Sequence, residues 1–475
     1  MDVHVSLVGR ANLSGEIYRQ LRAAIVDGRL RPGDLLPPSR EMARALGVAR
    51  TTVTVAYERL AGEGFIGSRV GSGTFVTAHA ARMRLAGRER RESALRPREF
   101  WKSFQPVRIF AREAEFDFRS GLPDASLFPH DLWRKLMLAA LRAEQSDSGV
   151  YSNAAGHRGL REAIARHIGV ARAVRCSADD IAITNGTQQA IDVVARVMLS
   201  PGDRVAVEDP GYPPPRRLFE SLGARVAGVP VDHEGLIVDL IPKRTRLVYV
   251  TPSHQFPLGV SMTLQRRLAL LAWAERNDAA IIEDDYDSEF RFGGRPVEPL
   301  QTLDTTGRVI YVGSFSKTTL PTLRLGFVVT PSTITDATEK AKFLVDWHTS
   351  LPVQAAMARF IESGAFARHI RKVGAAYRRR HAMVTRGVST LLHEHLELVP
   401  SNAGLHVTAV ARRLNATHMQ EVIDSARTAG VAVQSLARFG MAKRRRVGVV
   451  LGYGSIPAER IEEGLRRLRS CFGPK

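Results

Sequence analysis

Apolar positions near the start of the chain recur at helical spacing and are cut off by turn residues. In LSGEIYRQLRAAIVDGRL the residues Ile17, Leu21, Ala24 and Ile25 lie three or four apart, which predicts an amphipathic helix. RPGDLLP breaks that pattern with glycine and proline. SREMARALGV predicts a short helix capped by Ser39, with Glu41 and Met42 following. Val48 and Ala49 make a tight turn, and RTTVTVAYERLAGEGF begins a third helix. FIGSRVGSGTFV reads as two short strands around a glycine-rich hairpin. Residues 1–77 therefore predict a winged helix-turn-helix, a layout whose second turn-unit helix enters the major groove.

The pattern then lapses. Residues 78–114 show no steady period and are rich in arginine, as expected of a basic flexible linker whose arginines could also track phosphates. Trp101 and Phe104 mark a far end suited to docking on a neighbouring surface. From 115 to 475 the pattern changes again. DDIAITNGTQQAIDVVARVML predicts a strand, a glycine turn and a helix. Two apolar runs, 279–282 and 308–312, each end abruptly in polar residues. After about 345, long helical stretches alternate with short strands.

Length and charge refine this picture. A chain of 475 residues is too long for one core and implies two or three domains. A formal net charge of +20 favours an anionic partner, nucleic acid being the commonest. No basic amphipathic anchor supports a membrane surface instead. Only Cys176 and Cys471 are present, far apart and outside metal-ligand spacing, so no disulfide framework is expected and a cytoplasmic setting fits. MDVHVSLVGR lacks the apolar core of a signal peptide. His393-Glu394-His395, on a predicted helix, points its histidines apart and reads as a solvated face. No metal site is expected.

Candidate chemistry gathers where the two apolar runs end. In an open α/β sheet, ligands bind beyond the carboxyl ends of parallel strands. The first run delivers Asp284, Asp285 and Tyr286; the second delivers Ser314, Ser316 and Lys317, with Arg324 seven residues on. A lysine amine, a carboxylate, hydroxyls and an arginine at two such ends suit pyridoxal 5'-phosphate: the lysine for an imine, the carboxylate for the ring nitrogen. Gly186, Thr187 and Gln188 open a helix whose unpaired N–H groups favour an anion.

SFSKTTLPTLRLG resembles the lysine segment of fold-type I aminotransferases. IIEDDYDSEFR and TPSHQFPLG resemble the version found in MocR/GabR-type transcriptional regulators, and FDFRSGLPDASLFPHDLW resembles the opening of their aminotransferase-like domain. LPPSREMARALGVARTTVTVAYERLAGEGFIGSRVGSGTFV resembles the GntR family's DNA-binding domain. The resemblance spans nearly the whole chain, in the right domain order. It implies a fold-type I α/β domain, mainly parallel sheet with helices on both faces, and a smaller α+β domain. It assigns DNA contacts to Arg40, Arg50, Thr51, Thr52 and Gly71; Ala49 departs from the family's frequent hydroxyl residue. Arg44 and Arg69 read as solvated charges.

For the cofactor, the resemblance gives Lys317 the imine and Asp284 the ring nitrogen, with Glu283 and Asp285 capping the turn or forming ion pairs. Tyr286 would bond the ring's phenolic oxygen and Tyr212 would stack on the ring. Ser314 and Arg324 would hold the phosphate, and Gly121 the substrate side. Tyr151 would reach the phosphate of the other subunit, which implies a homodimer. Two departures from the enzymes stand out. Phe256 replaces the asparagine that bonds the phenolic oxygen, leaving His254 or Gln255 to compensate, and Val450 stands where a carboxylate-binding arginine is usual. Arg438 or an arginine of the KRRR run could substitute. The expected protein is thus a DNA-binding regulator that senses an amine, an amino acid or the cofactor through a Lys317 imine. An active aminotransferase with an autoregulatory DNA-binding domain is the alternative.

Overall fold

The apolar stripe of LSGEIYRQLRAAIV packs inward along one helix, α1 (Leu13–Val26), burying Ile17, Leu21, Ala24 and Ile25. A computed structural model of the chain describes residues 5–7, 12–69, 73–78, 95–106, 114–144, 150–293, 298–442 and 446–473. It divides into two units, Met1–Phe104 and Gln105–Lys475.

In the first unit α1 packs with α2 (Ser39–Leu46) and α3 (Arg50–Gly62), whose Met42, Val53, Ala56 and Leu60 complete the core. Removing a side chain the size of Met42, Val53 or Leu60 from water stabilises the fold by about 1.5–3 kcal/mol. The strands β1 (Leu35–Leu36), β2 (Ile66–Arg69) and β3 (Gly73–Val76) form an antiparallel sheet in the order β1-β3-β2. Gly47 ends α2 at φ +65, the left-handed conformation that lets the chain turn at once into α3. Ser39 is not the cap of α2. Pro38 takes that place, its carbonyl accepting from the N–H groups of Glu41 and Met42 at 2.9 and 3.0 Å. Ser39 is already helical, so its hydroxyl cannot reach forward; its Oγ instead accepts from Arg50 Nε at 3.4 Å. The wing tip, with Gly71, and most of the predicted linker lie outside the described residues. Within 95–106 a short helix, Glu99–Ser103, places the Trp101 ring against Phe100 and Phe104.

The second unit is built on an eight-stranded sheet. Its strands are β5 (Ile181–Thr184), β6 (Arg204–Asp209), β7 (Arg225–Asp232), β8 (Gly235–Leu236), β9 (Thr245–Val250), β10 (Ala280–Asp285), β11 (Val309–Ser314) and β12 (Gly326–Val329). Their order is β5-β12-β11-β10-β9-β6-β7-β8. The run β11-β10-β9-β6-β7 is parallel; β12 runs against both its neighbours, and β8 against β7. Strands buried on both faces read as unbroken apolar runs. Successive side chains divide between the faces: Val205 and Val207 pack toward helix Thr187–Met198, and Ala206 toward helix Leu264–Arg276.

The rest of the unit carries a pair, β4 (Phe116–Asp117) with β15 (Val431–Ala432), and a four-stranded sheet ordered β13-β14-β17-β16. Those four strands are β13 (Leu396–Leu398), β14 (His406–Ala411), β16 (Gln434–Ser435) and β17 (Gly448–Gly452). Helix Ala365–Leu391 covers this sheet. The helix stops at Leu391, so His393-Glu394-His395 lies in the turn beyond it; His395 stacks on Phe472 at 4.7 Å.

Candidate cofactor pocket and DNA-binding face

Register explains why distant residues meet. Asp284 of β10 pairs with Val312 of β11, so both strands end at one edge of the sheet. The antiparallel β12 begins there, with Gly326 opposite both Ser314 and Thr184. Residues following β5 and β11, and those preceding β12, are thereby brought together. A side chain at Gly326 would sit 2.8 Å from the Gly186 Cα, so only glycine allows this approach.

A cavity of about 270 Å³ opens at this edge. Of the predicted cofactor residues it is lined by Lys317, Asp284, Tyr286, Tyr212, Ser314, Arg324, Thr187 and Gln188. Asp284 is buried: Oδ2 accepts from Tyr249 Oη at 2.6 Å, while Oδ1 has no partner. Burial pushes this carboxyl up to about 7. Lys317 Nζ donates to the Gly121 carbonyl at 2.7 Å, and burial lowers its pKa against the pull of Asp287 and Asp284. Gly121, at φ +86, gives that amine room, since a Cβ would lie 3.3 Å from Nζ.

At the other end, Arg324 donates from Nη2 to the Asn185 carbonyl at 2.7 Å. Gly186 caps helix Thr187–Met198 at φ +79, and a Cβ there would stand 3.0 Å from Arg324 Nη2. Glycine thus lets a guanidinium and the free N–H groups of a helix start converge. Ser314 Oγ accepts from the Ser316 N–H at 3.1 Å. Tyr212 lies edge-on to Phe256 at 5.4 Å. Tyr286 Oη donates to the His254 carbonyl at 2.8 Å.

Tyr151 is not in this cavity. It is 74% exposed, its ring 4.2 Å from Trp347. Glu283 and Asp285 turn elsewhere. Glu283 accepts the N–H groups of Leu300 and Gln301, and Asp285 is held by Arg172 and Tyr311. Gln255 is spent on Glu208 and on the carbonyls of Pro210 and Phe256. Val450 is fully buried in β17, but Arg438 lines the cavity. Residues 443–445 of the KRRR run lie outside the described residues, and Arg446 donates to the Val231 carbonyl.

Tyr249, Asp287, Leu405 and His406 also form this site, and none was predicted. Tyr249 reads in sequence as one more residue of an apolar run, and His406 comes from the other sheet.

Pyridoxal 5'-phosphate fits this donor set. The orphaned Asp284 Oδ1 matches a protonated ring nitrogen, the Lys317 amine matches the aldehyde, and the Gly186–Arg324 cradle matches the phosphate.

On the N-terminal unit, Arg40 is exposed at the start of α2; at the start of α3, Arg50 and Thr51 are exposed and Thr52 is half-buried. Tyr57 Oη donates to the Pro37 carbonyl at 2.8 Å and ties α3 to the segment before α2. Val55, 45% exposed on α3, adds an apolar group that was not predicted. Arg44 is exposed, and the Arg69 guanidinium lies 5.3 Å over the Phe75 ring.

Comparison with known proteins agrees with both halves. Residues 13–76 match the gntR family of bacterial regulatory proteins, and residues 124–467 match aminotransferase class I and II. The chain is 37% identical to the probable rhizopine catabolism regulatory protein MocR of Rhizobium meliloti, over 96% of this chain and 93% of that one. It is 31% identical to the pyridoxine biosynthesis transcriptional regulator PdxR of Corynebacterium glutamicum, over 93% and 91%. Among solved structures, a multiple substrate aminotransferase from Thermococcus profundus superposes with a TM-score of 0.71 at 28% identity, over 79% of this chain and 96% of that one. The molecule is thus a GntR-type DNA-binding domain joined to a fold-type I aminotransferase domain that binds pyridoxal phosphate. The chain belongs to the MocR-type GntR family of transcriptional regulators.

Proposed function

We propose that this chain regulates transcription in response to an amine, an amino acid or a form of its own cofactor, sensed at the Lys317 cavity. One observation carries the reading: a half-buried lysine and a buried carboxylate with a free oxygen share one cavity with an arginine–glycine phosphate cradle. Bound there, pyridoxal phosphate supplies a carbonyl that takes up amines and a ring that withdraws electrons. The chain's own residues do the rest. Lys317, less basic than a free lysine, offers its amine for covalent attachment. Asp284 holds a proton at the ring nitrogen, Tyr212 fixes the ring plane, and Ser314, Arg324 and the N-terminus of helix Thr187–Met198 anchor the phosphate. Arg40, Arg50, Thr51 and Thr52 contact operator DNA; Gly71 of the wing joins them in this reading.

Tyr151, exposed on its own chain, completes the phosphate site of a second copy in a head-to-tail homodimer. An effector shifts DNA binding only if it binds two arrangements of that dimer unequally. The completeness of the cradle favours a second reading, an active aminotransferase; Phe256 and the buried Val450 weigh against efficient turnover of common amino acids.

The test is a titration of the purified chain on DNA upstream of its own gene, with and without pyridoxal phosphate, against random competitor. Competitor-resistant binding that the cofactor modulates is expected. Binding that random DNA removes would refute the regulator, and steady keto-acid production abolished by Lys317→Ala would establish the enzyme.

A further inference from the structure

Behind Tyr286 lies a buried cluster that the reading above leaves unused. His254 Nδ1 is 3.1 Å from both carboxylate oxygens of Asp287 and 3.1 Å from Tyr286 Oη. Its Nε2 is 3.2 Å from Ser401 Oγ. A carboxylate only accepts, so Asp287 assigns the imidazole proton to Nδ1, and the bare Nε2 accepts from the serine hydroxyl. The ring of His406 lies 4.7 Å away, held by its Nε2 contact of 3.0 Å to the Pro257 carbonyl. Gly404, at φ +77, closes the cluster, because a Cβ there would strike both His254 and Asp287. All three acidic and imidazole groups are buried, and Asp287 and His406 border the cavity.

Tyr286 has one proton to give, and here it goes to the His254 carbonyl. An anionic oxygen in the cavity must compete for that proton, and Phe256 supplies no side-chain donor in place of the asparagine. We propose that Asp287 and His254 are positioning residues for Tyr286: the Nδ1–H, shared between Asp287 and Tyr286 Oη, donates to that hydroxyl oxygen from behind, so that the hydroxyl proton is presented to the cofactor's phenolic oxygen. The pair thereby stands in for the missing donor by strengthening the one that remains. This rests on the cavity holding pyridoxal phosphate.

The test is a double-mutant cycle on the full-length chain, loaded with pyridoxal phosphate, reading its dissociation constant and its absorbance bands at one fixed pH. His254→Leu weakens binding about three- to tenfold, as loss of one hydrogen bond does, and changes the ratio of the bands. His254→Asn, whose amide donates from near the Nδ1 position, restores much of both. In a Tyr286→Phe background His254→Leu adds nothing further, because its effect acts through that hydroxyl.

Equal constants and spectra for wild type and His254→Leu, or full additivity with Tyr286→Phe, would overturn the proposal. If His254→Leu does not fold, the isosteric Asp287→Asn enters the same cycle with the same expectations. His254, Asp287 and His406 also bring ligand atoms within 4.8 Å of one another. A zinc-induced spectral change that a chelator reverses and His406→Asn abolishes would replace the relay with a metal centre. A wild-type chain that shows no cofactor band at all would instead sink the parent reading.

Discussion

Asp284→Asn separates what the buried carboxylate does for the fold from what it does for the cofactor. In the cofactor-free chain Asp284 is buried, with one oxygen unpartnered, and its pKa is pushed from 3.8 to about 7. The unfolded chain releases this proton near its ordinary value, so the folded chain binds more protons in between. Stability from this group is therefore fully present below about pH 4 and is lost as pH rises through about 7. Each tenfold change in acidity is worth ~1.4 kcal/mol, so the ionised form costs the folded chain at most about 4 kcal/mol. Asparagine cannot ionise, and its oxygen still accepts from Tyr249. The variant, free of cofactor, is thus expected to unfold at higher urea than wild type at about pH 8, with the gap closing toward pH 4. Glu208, Glu283 and Glu289 are also pushed up to about 7, so wild type and variant share most of the loss over that window, and their difference reports Asp284 together with its repulsion of Glu208. Cofactor affinity moves the other way. Losing a charge-assisted hydrogen bond of ~1.5–3 kcal/mol weakens binding by about ten- to a hundredfold at neutral pH. Paired urea melts and fluorescence titrations read both effects. Equal urea midpoints at about pH 8, or unchanged cofactor affinity, would refute the assignment of Asp284.

Lys317→Ala should keep the fold but lose the visible absorbance of covalently held cofactor; a retained band would move the attachment to another amine. Arg50→Ala is expected to weaken operator binding by ~1–3 kcal/mol if it reads a base, with sequence discrimination relaxed. A uniform loss across sequences with a shallower salt slope would make it a phosphate contact instead. Gly186→Ala forces a Cβ to 3.0 Å from Arg324 Nη2 at a positive φ, so phosphate-dependent affinity should fall sharply; free pyridoxal, which lacks the phosphate, should be far less affected. Arg438→Gln should reduce spectral responses to amines that carry a carboxylate more than to neutral amines, and an equal reduction for both would remove Arg438 as an anion contact.

The sequence by itself determined the elements and the order of the domains. Helical spacing of Ile17, Leu21 and Ile25 places α1, and apolar runs ending in DDY and SFSK place two strand ends. Those signals are local: periodicity and turn chemistry act within a few residues. Which of three adjacent carboxylates faces the cavity was decided by tertiary structure. Alternation sends Asp285 toward Arg172 and Tyr311, while Asp284 faces Tyr249 and the cavity. Ser39 shows the same limit at short range, since its role as a cap fails by one residue once Pro38 fixes where the helix begins. Tyr249, Asp287 and His406 were illegible for a different reason. Their roles depend on which strands pair and on how β14 of the smaller sheet meets the loop carrying His254, contacts that span more than a hundred residues of chain. Burial then gives the site its chemistry: the acidities of Asp284 and Lys317 are shifted chiefly by the exclusion of water around them, and that exclusion is a property of the assembled fold.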